Sequence, residues 1–277
     1  MAPEFRHLLL TRFNTAVGYA PSAQRLDSDW LRARLLPFEQ YCLPSVAAQK
    51  NAEFKWIVFL DGESPDWFKH KMESFAPLVS PVYTNGAATD EVLADGVFKT
   101  GFVDMPYLIS TRMDSDDAIS EDHLASVQAQ FRRQEREFIT FPLGLQSFHG
   151  HLYTVRWPFN PFPSLVERVP APGNGRFTTV FCVPHDRVSE AGVVRQVRRA
   201  PQWLQIIHSH NNESTLRGWP RLQSKSDPRF GVVWPQALPA QHVAGRLLIS
   251  LRAYLTRGSQ MLRRNWNHAV SASASHD

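Results

Sequence analysis

The sequence predicts an α/β fold with a mainly parallel central sheet. Over its first half, short apolar runs alternate with segments of helical periodicity, which is typical of parallel sheets covered by helices. Two of these runs, residues 54–60 and 107–113, pass directly into loops that contain aspartate, as buried parallel strands do at their carboxyl ends. The 277 residues, 43% of them hydrophobic and 20% charged, are enough to build one large domain around its own core.

The predicted elements follow in order along the chain. Apolar, aromatic and β-branched runs predict strands at residues 7–13, 54–60, 78–83, 107–113, 138–141 and 177–183. Helical spacing and capping residues predict helices at 27–51, 64–75, 89–98, 120–136 and 189–199. Pro37 and Pro44 are expected to break or kink the first helix, and Ser120 is expected to cap the fourth. The residues at 144–175 predict loops and short antiparallel strands.

Charge, cysteine usage and hydropathy narrow the class of protein. The formal net charge is +4 and the basic residues are scattered without a recognised motif, so nucleic-acid binding is not expected. Cys42 and Cys182 each lie in an apolar stretch, which indicates buried thiols and a reducing compartment. The N-terminus does not read as a signal peptide, and no run approaches the roughly 20 apolar residues of a membrane span. We therefore expect a soluble, cytoplasmic protein.

The sharpest motif is the aspartate cluster in STRMDSDDAIS. A strand leads directly into Asp114, Asp116 and Asp117, and ligands of open parallel sheets bind outside the carboxyl ends of the strands. Carboxylate oxygens are the ligands that Mg²⁺ and Mn²⁺ prefer, and such ions leave positions free for diphosphate oxygens. The cluster therefore predicts a site for a divalent metal and a diphosphate. The alternative is a solvated turn in which one aspartate caps the following helix.

Several segments together resemble a known family. They are TRFN at 11–14, FEQYCLPSVAAQKNAEFKWIVFLD, TRMDSDDAIS, NPFPSLVE and WLQIIHSHNNES, and they span most of residues 5–215. This combination is similar to the GT-A glycosyltransferases and, within them, to the bacterial family of putative rhamnosyltransferases. The resemblance implies a nucleotide-diphospho-sugar transferase-like fold, with a mostly parallel central sheet flanked by helices and a metal as the sole cofactor.

The resemblance also implies a domain organisation. Residues 1–236 are expected to form a single catalytic domain, in which 1–141 bind the nucleotide sugar and 142–236 bind the acceptor. Residues 237–270 are expected to form a basic helical extension, and residues 271–277 a disordered tail.

The resemblance further assigns roles to residues around the aspartates. Asp114 and Asp116, with Ser115 between them, are expected to hold the metal and the diphosphate, and Asp117 to contact the sugar as a catalytic carboxylate. Arg112 is expected to orient Asp114 or to contact the donor.

Residues that follow the first two strands are assigned to the nucleotide. Asp61 lies where related enzymes recognise the base or ribose. The loop formed by Thr11, Arg12, Phe13 and Asn14 is expected to line the nucleotide, with Arg12 reaching a phosphate.

The second half of the chain supplies further candidates. Since these enzymes often complete the metal shell with a histidine, His208 is the first choice and His210 the second, with Asn211 as a donor contact. Both histidines also fit a structural role. Asp186 is the predicted general base, with Glu190 and Glu167 as rivals; each of the three also fits an ordinary surface charge.

The C-terminal segment from Leu238 to Trp266 carries five arginines, no acidic residue and leucines at helical spacing. It is predicted to be a basic amphipathic helix that contacts the inner face of the plasma membrane, or else a helix packed on the domain.

The predicted function is transfer of a sugar to a hydroxyl of a glycan or lipid-linked acceptor. The family name implies L-rhamnose from dTDP-rhamnose, and a UDP-sugar is the other donor considered. A nucleotidyltransferase is disfavoured because TRFNTAVGYAPSAQR lacks the Gly-rich basic loop that holds a triphosphate. A non-catalytic carbohydrate-binding module is a third alternative, and it would tolerate loss of Asp114 and Asp116.

Overall fold

The structure is a computed structural model that describes residues 4–17, 21–171, 176–208, 215–221, 226–232, 234 and 245–255. The chain divides into two compact units. The first comprises Met1–Gly144, Arg156–Gln205 and Pro228–Val233, and the second comprises Leu145–Val155, Ile206–Asp227 and Trp234–Asp277.

The elements of the first half are β1 (Phe5–Arg12), α1 (Ser22–Arg25), α2 (Ser28–Pro37), α3 (Leu43–Ala47), β2 (Lys55–Asp61), α4 (Asp66–Glu73), β3 (Val79–Thr84), α5 (Asp90–Lys99), β4 (Tyr107–Arg112), β5 (Ala118–Ile119), α6 (His123–Gln128) and β6 (Arg136–Thr140). Those of the second half are β7 (Leu143–Phe148), β8 (His151–Arg156), β9 (Ser164–Arg168), α7 (Val188–Ala191), β10 (Val193–Gln196), β11 (Trp203–Ile207) and β12 (Trp219–Pro220). Residues 245–255 are also helical.

The first unit is built on a seven-stranded sheet with the order β10-β6-β9-β4-β1-β2-β3. All neighbours pair in parallel except β9, which runs antiparallel to β4 and β6. The predicted α/β fold with a mostly parallel central sheet is therefore confirmed. Because β2 and β3 lie on one side of β1 and β4 lies on the other, the strand order reverses beside β1. In open α/β sheets a ligand crevice forms outside the carboxyl ends of the strands at such a reversal.

Aromatic and aliphatic side chains of the inner strands form the core of the first unit. Leu8, Leu10, Ile57 and Phe59 are completely buried and pack against residues of α5. Fully buried strands of a parallel sheet read as continuous apolar runs, which is why the sequence revealed β1, β2 and β4 clearly. The rigid core holds the polar residues that follow these strands at one edge.

The predicted helix at 27–51 is continuous but changes type twice. Asp27 caps it by accepting a hydrogen bond from the Trp30 N–H at 2.8 Å. Pro37 is the last residue of α2, residues 38–42 form a π-helix, and Pro44 lies in the first turn of α3. Each proline thus lies next to a change of helix type, as expected for a residue that has no N–H to donate within a continuous helix.

The predicted helix at 120–136 is wrong in extent, because only α6 is formed. The Ser120 N–H donates to the Gln202 carbonyl at 3.0 Å, which continues the pairing of β5 with β11 and keeps Ser120 out of the helix. The α6 start is capped instead by Gln49, whose side-chain oxygen accepts from the Leu124 N–H at 3.1 Å. Tertiary partners thus override the local helical pattern.

Two other predicted elements are also corrected. Residues 177–183 do not form a strand, because side chains bind their N–H groups: Asp90 accepts from Thr179 at 2.9 Å and Ser110 from Val180 at 3.0 Å. The predicted helix at 189–199 ends at Ala191, after which β10 pairs in parallel with β6. An unpaired sheet edge therefore outweighed helical spacing in this segment.

The second unit contains antiparallel pairing between β8 and β12, with Trp219 opposite Thr154. The Gln146 side chain accepts from the N–H groups of Arg217 and Gly218 at 2.7 and 3.2 Å. Of the antiparallel strands predicted between residues 144 and 175, β8 pairs antiparallel with β12, and β9 pairs antiparallel with β4 and β6. Of the predicted helical extension at 237–270, residues 245–255 are helical and the remainder, like the tail at 271–277, lies outside the described residues.

Candidate functional site

Polar residues follow three neighbouring strands of the parallel sheet, at the edge where β1, β2 and β4 end. Arg12 pairs with Phe59 in the β1–β2 register, and Arg112 pairs with Leu10 in the β1–β4 register. The Met113 N–H extends the ladder by donating to the Leu10 carbonyl at 3.1 Å. The ends of these strands therefore converge at the reversal of strand order, where a ligand crevice is expected.

Asp114 is held by Arg112 through a bidentate ion pair. Arg112 Nη2 donates to both carboxylate oxygens at 3.0 Å, and Arg112 Nε donates to Oδ1 at 3.2 Å. Burial by itself raises the pKa of Asp114, but the charges of Arg112 and Arg12 outweigh this effect and lower the pKa below its ordinary value. Asp114 is consequently an anion at neutral pH.

The guanidinium groups of Arg12 and Arg112 share one aromatic ring. Arg12 Cζ lies 4.4 Å from the centre of the Phe181 ring, and Arg112 Cζ lies 5.9 Å from it. Both charges also act on the Asp114 carboxylate. The end of β1 and the end of β4 therefore present two cations around one aspartate.

Arg34 of α2 contacts the next two residues of the motif. Its Nη2 donates to Ser115 Oγ at 2.9 Å and lies 3.9 Å from Asp116 Oδ2. The Arg34 guanidinium also lies over the Trp30 ring at 5.1 Å. The Arg34 Nε atom is buried, and it has no hydrogen-bond partner among the described residues. A helix remote in sequence thus supplies Asp116 with a cationic neighbour.

Asp117 is almost completely buried, and its N–H donates to the Asp114 carbonyl at 3.4 Å. The thiol of Cys42, in the π-helical segment, lies 3.8 Å from the same carbonyl. Burial raises the pKa of Cys42, and the charges of Asp116, Asp117 and Asp114 raise it further. Cys42 is therefore a neutral packing residue beneath the aspartate loop, and it forms no disulfide.

Asp61 at the end of β2 is engaged in the same way as Asp114. Arg25 Nε donates to Asp61 Oδ2 at 2.7 Å, and Oδ1 accepts from the Glu63 N–H at 2.9 Å. Asn14 joins the two loops, because its Oδ1 accepts from the Asp61 N–H at 3.1 Å and its Nδ2 donates to Ser64 Oγ at 2.9 Å. Asp61 is 4% exposed, so Arg25 must move before a ligand contacts this carboxylate.

Thr11 and Phe13 are occupied inside the fold. Thr11 Oγ1 accepts from Trp56 Nε1 at 3.0 Å, and the Phe13 ring lies 5.4 Å from Phe38 and 5.1 Å from Phe68. Both side chains are buried. Any contribution of these two residues to nucleotide binding would come from fixing the β1 loop.

His185 and Asp186 form a short 3₁₀ turn. His185 Nδ1 donates to the Phe159 carbonyl at 2.9 Å, and the ring packs edge-on against Trp157. Burial and the charge of Arg112 lower the pKa of His185, which is also sensitive to Asp114. Asp186 itself is exposed. The mutual charge effects of His185, Arg112 and Asp114 indicate that the histidine lies near this ion pair.

The two rival general bases are engaged elsewhere. Glu190 is exposed and bound by Arg187 at 2.6 Å. Glu167 lies opposite Leu108, at the start of β4, and is bound by Arg136 at 2.9 Å. Glu167 therefore lies beside the amino-terminal end of β4, whereas Asp114 follows the carboxyl end of the same strand.

Of the two predicted histidine ligands, the structure describes only His208. His208 directly follows β11 and belongs to the second unit, whereas His210 and Asn211 lie outside the described residues. Among the residues that the structure describes, no three histidine, cysteine, aspartate or glutamate side chains form a ready-made metal cage. Mg²⁺ is commonly held by only one or two carboxylates together with substrate phosphates, so Asp114 and Asp116 fit a metal that arrives with a diphosphate.

Sequence reasoning missed the arginines that match the aspartates. Arg25 and Arg34 lie in short helices far from the motif, and only the tertiary fold brings them to Asp61 and Asp116. Phe181 and His185 were hidden because their segment has no regular structure around residue 181. The proline at 184 was a usable signal, since it marks a turn close after an apolar run.

Comparisons with known proteins identify the class. Residues 7–220 match the family described as "Putative rhamnosyl transferase", and the chain belongs to that family. The family predicted from the sequence is therefore confirmed. No curated protein is similar enough to count as a relative.

Solved structures similar to this chain include one that contains UDP-GlcNAc. Staphylococcus aureus TarS 1-349 is 12% identical with a TM-score of 0.42, and the match covers 73% of this chain and 60% of TarS. A structure of the same TarS fragment in complex with UDP-GlcNAc matches 74% of this chain and 60% of its own, at 12% identity and a TM-score of 0.42. This chain thus spans about three-fifths of those structures.

A nucleotide-diphospho-sugar transferase, described as putative, from Desulfovibrio desulfuricans G20 is 11% identical with a TM-score of 0.37. Its match covers 73% of this chain and 81% of that chain.

Proposed function

We propose that this glycosyltransferase transfers L-rhamnose from dTDP-rhamnose to a hydroxyl of a glycan or lipid-linked acceptor. The observation that carries the proposal is the convergence of Asp114, Asp116, Arg12 and Arg112 at the reversal of strand order beside β1. Carboxylates for a cation and guanidinium groups for phosphate oxygens are the two kinds of group that a nucleoside diphosphate requires. The rhamnose and the dTDP base rest on the family alone, and a UDP-sugar is the alternative donor.

The residues at the carboxyl ends of β1, β2 and β4 have separate roles in donor binding. Asp114 and Asp116 would hold Mn²⁺ or Mg²⁺, which when bound offsets the charge of the departing diphosphate. Arg12, at the end of β1, binds a phosphate oxygen, while Asp61 and Asn14 place the β1 and β2 loops against the nucleoside. We propose residues 1–141 as the donor half and 142–236 as the acceptor half.

The acceptor hydroxyl must lose a proton when it attacks the sugar. Asp186 remains the proposed proton acceptor, and Asp117 the proposed sugar contact. Because His185 is held by Phe159 and lies near the Arg112–Asp114 pair, it is a second candidate to receive this proton. A neutral histidine whose Nδ1 donates to a carbonyl leaves Nε2 as an acceptor.

A thermal-shift panel of nucleotides tests the donor assignment. With Mn²⁺ present, dTDP-rhamnose at a hundred times its Kd stabilises the folded state by about 2.7 kcal/mol, which raises the Tm by roughly 5 °C. UDP-sugars, and dTDP-rhamnose without metal, are expected to produce smaller shifts. A larger shift with UDP-sugars would redirect the donor. No shift with any nucleotide would contradict nucleotide-sugar transfer and favour a carbohydrate-binding module.

We also propose that residues 245–255 rest on the cytoplasmic face of the plasma membrane. No helix among the described residues is long and apolar enough to cross a bilayer. However, this helix exposes Leu247, Leu248, Leu251, Tyr254 and Leu255, with Leu248 at 66% and Leu255 at 62% exposure. From residue 228 to residue 276 the chain carries arginines and no acidic residue, which complements anionic lipid.

Vesicle cosedimentation tests the membrane contact. The double variant Leu248→Glu/Leu255→Glu is expected to bind vesicles rich in phosphatidylglycerol roughly tenfold more weakly, since it loses apolar contact and adds repulsion. Leu36→Glu is the matched control, because Leu36 is 58% exposed on α2 in the first unit. Equal binding of the double variant and wild type, or equal binding to neutral vesicles, would refute the contact.

A further inference from the structure

The Arg112–Asp114 ion pair occupies the carboxylate that a metal would need. Three hydrogen bonds at 3.0 to 3.2 Å engage both oxygens of Asp114. A divalent cation binds a carboxylate oxygen at about 2.1 Å, which would place it beside the guanidinium. Two positive charges at that separation repel each other, and little water screens Arg112, whose side chain is 13% exposed. Metal binding and the ion pair are therefore competing states of Asp114.

Arg112 lies beside a second cation, Arg12. Its guanidinium shares the Phe181 ring with Arg12, and both cations have Asp114 as a nearby counter-ion. If a metal neutralises Asp114, these two arginines lose that counter-ion. A diphosphate restores the balance, and a guanidinium matches two phosphate oxygens as well as it matches two carboxylate oxygens.

We propose that Arg112 exchanges partners on donor binding: it holds Asp114 in the free enzyme and moves to the diphosphate when the cation takes Asp114. This inference rests on the proposed function, because it requires a nucleoside diphosphate and a metal. Arg112 would then weaken the binding of the cation alone and strengthen the binding of the nucleotide in the presence of the metal. An arginine that only oriented Asp114 as a metal ligand would strengthen both kinds of binding.

The opposite signs of these two effects give the test. Binding of MnCl₂ alone, and of dTDP and UDP at saturating Mn²⁺, is measured by calorimetry for wild type and Arg112→Gln. The variant is expected to bind Mn²⁺ about tenfold more tightly, because Asp114 is released, and to bind the nucleoside diphosphate about tenfold or more weakly, because a charged hydrogen-bond donor is lost.

Arg168→Gln is the matched control, since Arg168 forms an exposed ion pair with Glu135 at 3.2 Å, and neither affinity should change. Arg112→Lys keeps the charge without the fork and should recover only part of the nucleotide affinity. Thermal unfolding shows that each variant is folded.

The outcomes separate the two proposals. Weaker binding of Mn²⁺ alone by Arg112→Gln, or unchanged nucleotide affinity, overturns the exchange while leaving the proposed function intact. Absence of nucleoside diphosphate binding by the wild type overturns the proposed function and the exchange with it. Nucleotide affinity of the wild type that is independent of Mn²⁺ overturns the exchange and the metal assignment.

Discussion

Asp116→Asn is expected to lower the rate of dTDP release from dTDP-rhamnose by about 100- to 1,000-fold, the loss typical of one electrostatic group at a reacting centre. Asparagine keeps the size of the side chain but removes the charge that would hold the cation. It also removes the anionic partner of Arg34, whose Nη2 lies 3.9 Å away. The rate is measured in Mn²⁺ by following dTDP, so that no knowledge of the natural acceptor is needed.

A second measurement separates lost chemistry from lost folding. Removing one partner of a partly buried ion pair costs about 1–3 kcal/mol, so a modest fall in Tm is expected with a chain that still folds. Mn²⁺-dependent binding of dTDP should weaken in parallel with the rate. Asp95→Asn is the control, because Asp95 forms an exposed ion pair with Arg176 at 3.1 Å. A folded Asp116→Asn variant with the rate of wild type would remove Asp116 from the site.

The sheet was predictable because its inner strands are buried on both faces. Burial on both faces produces continuous apolar runs, and the polar residue that ends each run marks the edge where function is found. This reasoning located Arg12, Asp61 and Asp114 correctly at one edge of one sheet. This reasoning used only the order of apolar and polar residues along the chain, and a single sequence contains that information.

The partners of those residues were not predictable because they depend on distant contacts. Nothing near Asp61 or Asp116 in the sequence indicates that Arg25 and Arg34 neutralise them. The errors at 120–136 and 189–199 have the same origin, since β11 and β6 captured backbone that local spacing assigned to helices. Helical propensity is worth only tenths of a kcal/mol per residue, so a few sheet hydrogen bonds outweigh it.

A different consequence of burial concerns acid stability. His7 is buried in a polar chain: Gln128 Nε2 donates to His7 Nδ1 at 3.1 Å, so His7 Nε2 donates to Thr111 Oγ1 at 2.8 Å, and Thr111 lies 2.7 Å from Ser164 Oγ. Burial, with a contribution from the charge of His123, lowers the pKa of His7 to about 3. Burial likewise lowers the pKa of His123 to about 4. In the folded state both rings therefore stay largely neutral down to about pH 4.5.

Glu167 acts in the opposite direction. Burial raises its pKa to about 7, against the opposing charge of Arg136. Between pH 6.5 and 4.5 the histidines of the unfolded chain take up protons, whereas in the folded chain Glu167 already carries a proton for the most part. Stability rises with pH wherever the unfolded state binds more protons, by about 1.4 kcal/mol per pH unit for each proton. Summed over these three groups, the free energy of unfolding falls by about 2 kcal/mol from pH 6.5 to 4.5, because each unfolded histidine is only half protonated at pH 6.5 and the unfolded glutamate is half protonated at pH 4.5.

Two variants are expected to change that slope in opposite directions. Glu167→Gln removes the proton that the folded state binds, so stability should be lost more steeply by about 1.4 kcal/mol per pH unit. His7→Gln removes a proton from the unfolded state, so its slope should be flatter by about the same amount, although the variant is less stable at pH 7.5 because the buried hydrogen bonds are disturbed. Urea unfolding at pH 7.5, 6.5, 5.5 and 4.5 measures each slope.

The control variants are His70→Gln and Glu135→Gln, both on the surface. If His7→Gln kept the slope of wild type, the ring would be exchanging protons in the folded state, and the buried chain from Gln128 to Ser164 would have to open in acid.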